Sequence, residues 1–166
     1  LGTAFSFVHL LDHLDTAALE FQLPSGSAAM ETGGYKSRSR EMPKAELHQA
    51  ITTKLGVASE RIICEYGMCE LSSQAYDGKL GQANTAPRLF RFPPWARARV
   101  VSPETLADVE LGQAGLLQVV DLANAGSALS LQTSDLARRH ADGFELLGRA
   151  ELAESRGCSL MNLTHA

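Results

Sequence analysis

Cysteine is scarce in this chain. Cys64, Cys69 and Cys158 are the three it has, too few and too irregular for a disulfide framework, and they lack the paired spacing of a cysteine zinc site. A reducing cytoplasm is the simplest setting. No uninterrupted apolar run approaches the roughly 18 residues that a membrane span needs, and no basic-plus-apolar leader directs secretion. The chain opens on Leu1 and not on methionine, so a fragment or processed piece is expected. Basic excess is missing as well. A formal net charge of -4 gives no reason to expect nucleic acid as a partner, although local basic clusters exist.

What is present suits a folded domain. The 166 residues are 45% hydrophobic and 20% charged, which excludes wholesale disorder and allows one ordinary core. From Ala4 to about Ala18, Phe7, Leu10, Leu11, Leu14 and Ala18 recur at helical spacing, with Asp12, Asp15 and Thr16 mostly opposite. His9 and His13 lie four apart on that helix, as a metal pair would, but no third ligand is legible nearby and they read as ordinary helix histidines. The helix reads as core.

Leu23-Pro24-Ser25-Gly26-Ser27 is a turn, and Ala28 to Thr32 a short strand running into Gly33-Gly34. Adjacent glycines let backbone pass close to a flat ligand, or simply make a tight turn. They are not a phosphate loop of the Gly-rich Lys-Ser/Thr type. Lys36, Arg38 and Arg40 then form a compact basic patch, suited to an anion, to a partner's acids or to solvent. Pro43 opens a second helix through Leu47, Ile51 and Leu55, which stops at Gly56. A strand follows at Arg61-Ile62-Ile63-Cys64. This is the helix-strand repeat of an α/β sheet, in which ligands gather at the carboxyl ends of the strands.

Residues 77–95 are rich in Gly, Asn and Pro and read as a connection. Beyond them, Ala96 to Val101, Gly115 to Leu122, Ser130 to Thr133 and Gly143 to Leu147 are strand-sized runs between turn residues, suited to antiparallel structure in a small twisted sheet or open barrel. The expected organisation is therefore an α/β part over 1–76, a connection over 77–95, an antiparallel β subdomain over 96–150, and a hinge and tail over 151–166.

Tyr66-Gly67-Met68-Cys69-Glu70 resembles the Tyr-Gly-x-Thr-Glu signature of the adenylate-forming enzymes. With Glu31-Thr32-Gly33-Gly34-Tyr35-Lys36 before it, the match narrows to the bacterial acyl-protein synthetases, which activate fatty acids for a reductase; it runs from about Gly2 to Leu160. The resemblance implies the second half of the large domain of such an enzyme, α/β followed by a β-rich subdomain. It implies ATP and Mg²⁺ as cofactors, with Glu70 on the metal and Gly33, Gly34, Tyr66 and Gly67 along the adenine.

Cys69 stands where threonine is usual, and a thiol is the poorer donor to phosphate. Thr133-Ser134-Asp135 resembles the segment whose aspartate holds the ribose hydroxyls, and Gly148-Arg149 resembles the hinge arginine. Asp135 and Arg149 are 14 residues apart, as the two strands of a hairpin would place them; the plainer reading is a surface salt bridge.

Arg156-Gly157-Cys158 fits the cysteine that carries the acyl group in these synthetases, with Arg156 lowering the thiol pKa. A free cysteine on a tail is the alternative. The family's Ser/Thr/Gly-rich loop with lysine is not found, so this chain alone is not expected to adenylate. The expected partners are a fatty acid or other carboxylic acid and an acyl-accepting reductase, and apolar surface bared by a missing half would favour self-association. An acyl-CoA or aryl-CoA ligase of the same superfamily, and a non-catalytic binding or assembly module, remain as alternative readings.

Overall fold

A computed structural model describes residues 1–33, 42–83 and 86–150. Two four-stranded sheets organise them. The first is built as β1 (Gly2–Thr3), α1 (Ala4–Thr16), β2 (Ala29–Thr32), α2 (Lys44–Leu55), β3 (Ile62–Tyr66) and β4 (Ala75–Tyr76). Strands β1, β2 and β3 run parallel, joined through helices, and β4 is antiparallel to β3. Parallel neighbours require such crossovers, and these two cover one face of the sheet.

Helix α1 begins where the Thr3 hydroxyl accepts from the Ser6 amide at 3.0 Å. Its buried face is Ala4, Phe7, Val8, Leu11 and Leu14. Leu10 and Ala18, expected on that face, are exposed, because Val8 takes the position that completes the stripe. Leu47, Ile51 and Leu55 of α2 are buried as their spacing requires, and they pack with the α1 face, Ala29, Val57 and Ile62 in one apolar cluster. The stripe of α1 is core. His9 and His13 are exposed on its far side, with His9 edge-on to Phe5.

The second sheet is an antiparallel meander of β5 (Ala96–Val101), β6 (Ala114–Asp121), β7 (Ser130–His140) and β8 (Gly143–Arg149). Buried and half-buried residues alternate along β6, so Leu117, Val119 and Asp121 share the inner face. Strand β7 extends well past the Ser130 to Thr133 run, since β6 and β8 both pair with its polar second half. Register shifts near Leu116 and near Leu136 bend the sheet.

A second apolar cluster joins the two sheets. Cys64, Tyr66 and Ala75 contribute from the first, and Val100, Leu117, Val119, Ala137 and Phe144 from the other. Phe90 belongs to it too, so the connecting segment is more than a link: it stacks on Phe144 at 5.6 Å and exchanges backbone hydrogen bonds with it. Among the described residues no helix is long and apolar enough to cross a membrane.

Candidate functional site

Because β2 and β3 are parallel, with Thr32 opposite Glu65, Gly33 leaves the sheet level with Tyr66, and Gly67 follows one residue later at the same carboxyl edge. The Thr32 hydroxyl donates to the Glu65 carboxylate there. Gly33 has φ +64, a conformation that side chains resist, and among the described residues a Cβ at this position would meet nothing within 4 Å. Gly34, Lys36, Arg38 and Arg40 lie outside the described residues, as does Cys158.

Tyr66 ends β3 with its ring buried edge-on to Phe90, Phe92 and Phe144. Its hydroxyl donates to Asp135 Oδ2 at 2.7 Å. Burial, reinforced by the Asp135 carboxylate, pushes the phenol pKa far up, so the proton stays on Tyr66. Asp135 is paired across the β7–β8 hairpin with Arg149, whose Nε lies 3.4 Å from Oδ1. Arg149 is 83% exposed, so the ion pair is weak and its guanidinium is free to turn toward an anion. A carboxylate has about four lone-pair sites; these two bonds leave Asp135 with acceptor capacity.

Glu70 and Cys69 occupy the turn after Gly67, both exposed, with the Cys69 thiol donating to Glu70 Oε2 at 3.3 Å. Cys69 thus differs from Cys64, which is 3% exposed. Burial drives the Cys64 thiol pKa far up; Glu31 and Asp77 add to the rise and Lys44 opposes it. Cys64 is a protonated thiol.

The turn is held from the second sheet. Asp121, fully buried, accepts from the Ser72 and Ser73 amides at 3.0 and 2.9 Å and from the Ser73 hydroxyl at 2.9 Å. Burial alone would raise the Asp121 pKa, but these donors and the Ala123 amide hold it below the ordinary aspartate range. Asn124 donates to the Glu70 carbonyl at 2.8 Å. Trp95 donates to the Ser73 hydroxyl at 3.0 Å. No spacing in the sequence singles out Asp121 or Asn124; the one available signal is an acid at an inward position of an alternating strand.

On the other flank, Arg88 Nη2 donates to Asp77 Oδ1 at 2.8 Å, and its Nε lies 2.7 Å from Oδ2 in the same ion pair. Asp77 Oδ1 also accepts from the Cys64 amide at 2.7 Å. The strand that delivers Tyr66 is thereby tied to the connecting segment.

The family model described as "Acyl-protein synthetase, LuxE" matches residues 1–165. The chain belongs to that family. It is 24% identical over 172 residues to a long-chain-fatty-acid--luciferin-component ligase of Aliivibrio fischeri, a match that covers 96% of this chain and 43% of the relative. The chain therefore spans less than half the length of that relative.

Among solved structures it is similar to the McyG A-PCP complexed with phenylalanyl-adenylate, with TM-score 0.63 and 16% identity over 90% of this chain and 26% of the other. A long-chain-fatty-acid-CoA ligase, FadD1, of Archaeoglobus fulgidus gives TM-score 0.58 and 13% identity, covering 89% and 33%. ATP-bound MatB from Rhodopseudomonas palustris gives 0.53 and 19%, covering 89% and 30%. At these identities the likeness shows the fold, that of the adenylate-forming enzymes, α/β followed by a β-rich part.

Proposed function

We propose that this acyl-protein synthetase chain carries part of the site at which ATP activates a fatty acid, and that the acyl group then passes to Cys158 for delivery to a reductase. A carboxylate oxygen of the acid attacks the α-phosphorus, the bond to the β-phosphate breaks, and acyl-AMP and pyrophosphate form. The Cys158 thiolate then attacks the acyl carbon, AMP leaves, and a thioester remains.

In this reading Gly33, Gly34, Tyr66 and Gly67 flank the adenine, Asp135 and Arg149 hold the ribose, and Cys69 faces the phosphates. Glu70 suits Mg²⁺: it is an exposed hard oxygen donor on a turn held in place, and magnesium commonly takes one or two carboxylates together with substrate phosphates. When bound there, the ion would supply positive charge where two anions meet. The Tyr66 hydroxyl keeps the Asp135 carboxylate oriented toward the same edge of the sheet.

The reading rests on the family match over residues 1–165. The Tyr66–Asp135 bond supports its nucleotide half, since two motifs 69 residues apart meet in one contact. The test is fatty-acid-dependent exchange of pyrophosphate into ATP, measured on the protein as its gene encodes it. Exchange with fatty acids, lost on Glu70→Ala, is the expected result. No exchange with any acid from a folded protein would overturn the reading.

A further inference from the structure

Glu31 and Cys64 are register partners on β2 and β3, so their side chains leave the same face of the sheet together. His48 of α2 closes over them. Its Nε2 lies 2.9 Å from Glu31 Oε2, and the Cys64 sulfur lies 3.3 Å from that oxygen and 3.6 Å from Nε2. One oxygen, one nitrogen and one sulfur thus form a triangle. Tetrahedral zinc, with bonds of about 2.0 to 2.3 Å, sets ligand-to-ligand edges of about 3.3 to 3.6 Å. The three donor atoms need to spread by only a few tenths of an ångström to match.

The donor set points the same way. Thiolate, imidazole and carboxylate together suit a borderline-soft divalent ion, where magnesium and calcium favour oxygen alone. Burial makes the set compact: Glu31 is 7% and Cys64 3% exposed, and the His48 side chain 11%. We propose that Glu31, His48 and Cys64 form a binding site for a zinc-class divalent cation, set behind the strand ends that carry Gly33 and Tyr66.

The bonds present belong to the protonated form. Arg88 Nη1, which can only donate, lies 3.3 Å from His48 Nδ1, so the ring proton sits on Nε2 and faces Glu31. Binding moves that proton to Nδ1 and releases the Cys64 proton to solvent, one per ion. Arg88 gives up Nδ1 and keeps Asp77 and the Ile62 carbonyl through Nε and Nη2. Carboxylate and thiolate then balance the two charges of the ion, and the fourth position is left to water. The site joins α2 to both strands, so its occupancy sets the spacing of the loops that follow them.

These 166 residues hold three cysteines, so in the protein as its gene encodes it Cys69→Ser and Cys158→Ser, with serine for every cysteine outside this stretch, leave Cys64 as the sole thiol. That single-thiol protein is titrated with cobalt(II), and zinc(II) is then added. One equivalent of cobalt, with thiolate-to-cobalt charge transfer and tetrahedral visible bands that zinc removes, is expected. Glu31→Gln and His48→Gln each weaken binding by about tenfold or more, and zinc raises the melting temperature of the parent protein.

Absence of charge transfer from the folded single-thiol protein, or affinity unchanged by both substitutions, overturns the proposal. X-ray absorption of the zinc-loaded single-thiol protein decides independently of any change at the three ligands: one sulfur at about 2.3 Å is expected, and a shell of nitrogen and oxygen alone refutes the site.

Discussion

The hydroxyl of Tyr66 donates to the carboxylate of Asp135, tying the last residue of β3 in the parallel sheet to β7 in the antiparallel one. Tyr66→Phe keeps the buried ring and its aromatic contacts while leaving Asp135 short of a donor. Loss of a bond to a part-buried charged acceptor costs about 1 to 3 kcal/mol. Urea denaturation of the parent and variant proteins measures it, with the midpoint expected to fall and the slope to stay constant.

Asp121 makes stability depend on acid. Its folded-state pKa lies below the ordinary 3.8, so the carboxylate stabilises the fold at pH above that value, and the contribution is lost as pH falls through the folded-state value. Asp121→Asn is expected to be less stable at neutral pH and to lose less on acidification. Denaturant midpoints at neutral and acidic pH give both quantities, and parallel curves for the two proteins would contradict the assignment.

Cys64 and Cys69 are expected to separate under alkylation. Cys69 is exposed, whereas Cys64 is buried with its thiol held protonated, and only the thiolate reacts readily. Iodoacetamide followed by peptide mass mapping is expected to label Cys69 in the native protein and Cys64 only after unfolding.

Gly143 opens β8 at φ +155 with the Phe90 carbonyl 2.5 Å from where a Cβ would stand. Gly143→Ala combines an unfavourable backbone conformation with a clash against main chain that is itself bonded to Phe144. A loss of at least about 1 to 2 kcal/mol is expected, visible as a lowered thermal midpoint.

The spacing of Leu47, Ile51 and Leu55 made α2 legible, and the short apolar runs bounded by turn residues made most of the strands legible, because each reports a local period of burial. The 14-residue interval from Asp135 to Arg149 pointed to the hairpin in which they pair. Illegible were contacts made at a distance. Spacing placed Leu10 on the apolar face of α1 and passed over Val8, whereas the packed helix buries Val8 and exposes Leu10, and Phe90 sat in a polar stretch whose composition concealed its place in the core. The cysteine spacing carries no sign of what Cys64 meets, because its neighbours Glu31 and His48 come from a separate strand and a helix.

The hold that Asp121 and Asn124 keep on Ser72, Ser73 and Glu70 bears on how parts of such proteins can be exchanged. A chimera that takes residues 96–150 from one relative and the preceding residues from another cuts the chain at a loop but severs the hydrogen bonds that hold the acidic turn. Unless the donor segment brings an aspartate and an asparagine in these two registers, the graft inherits a motif spelled correctly but without the hydrogen bonds that fix it from the second sheet.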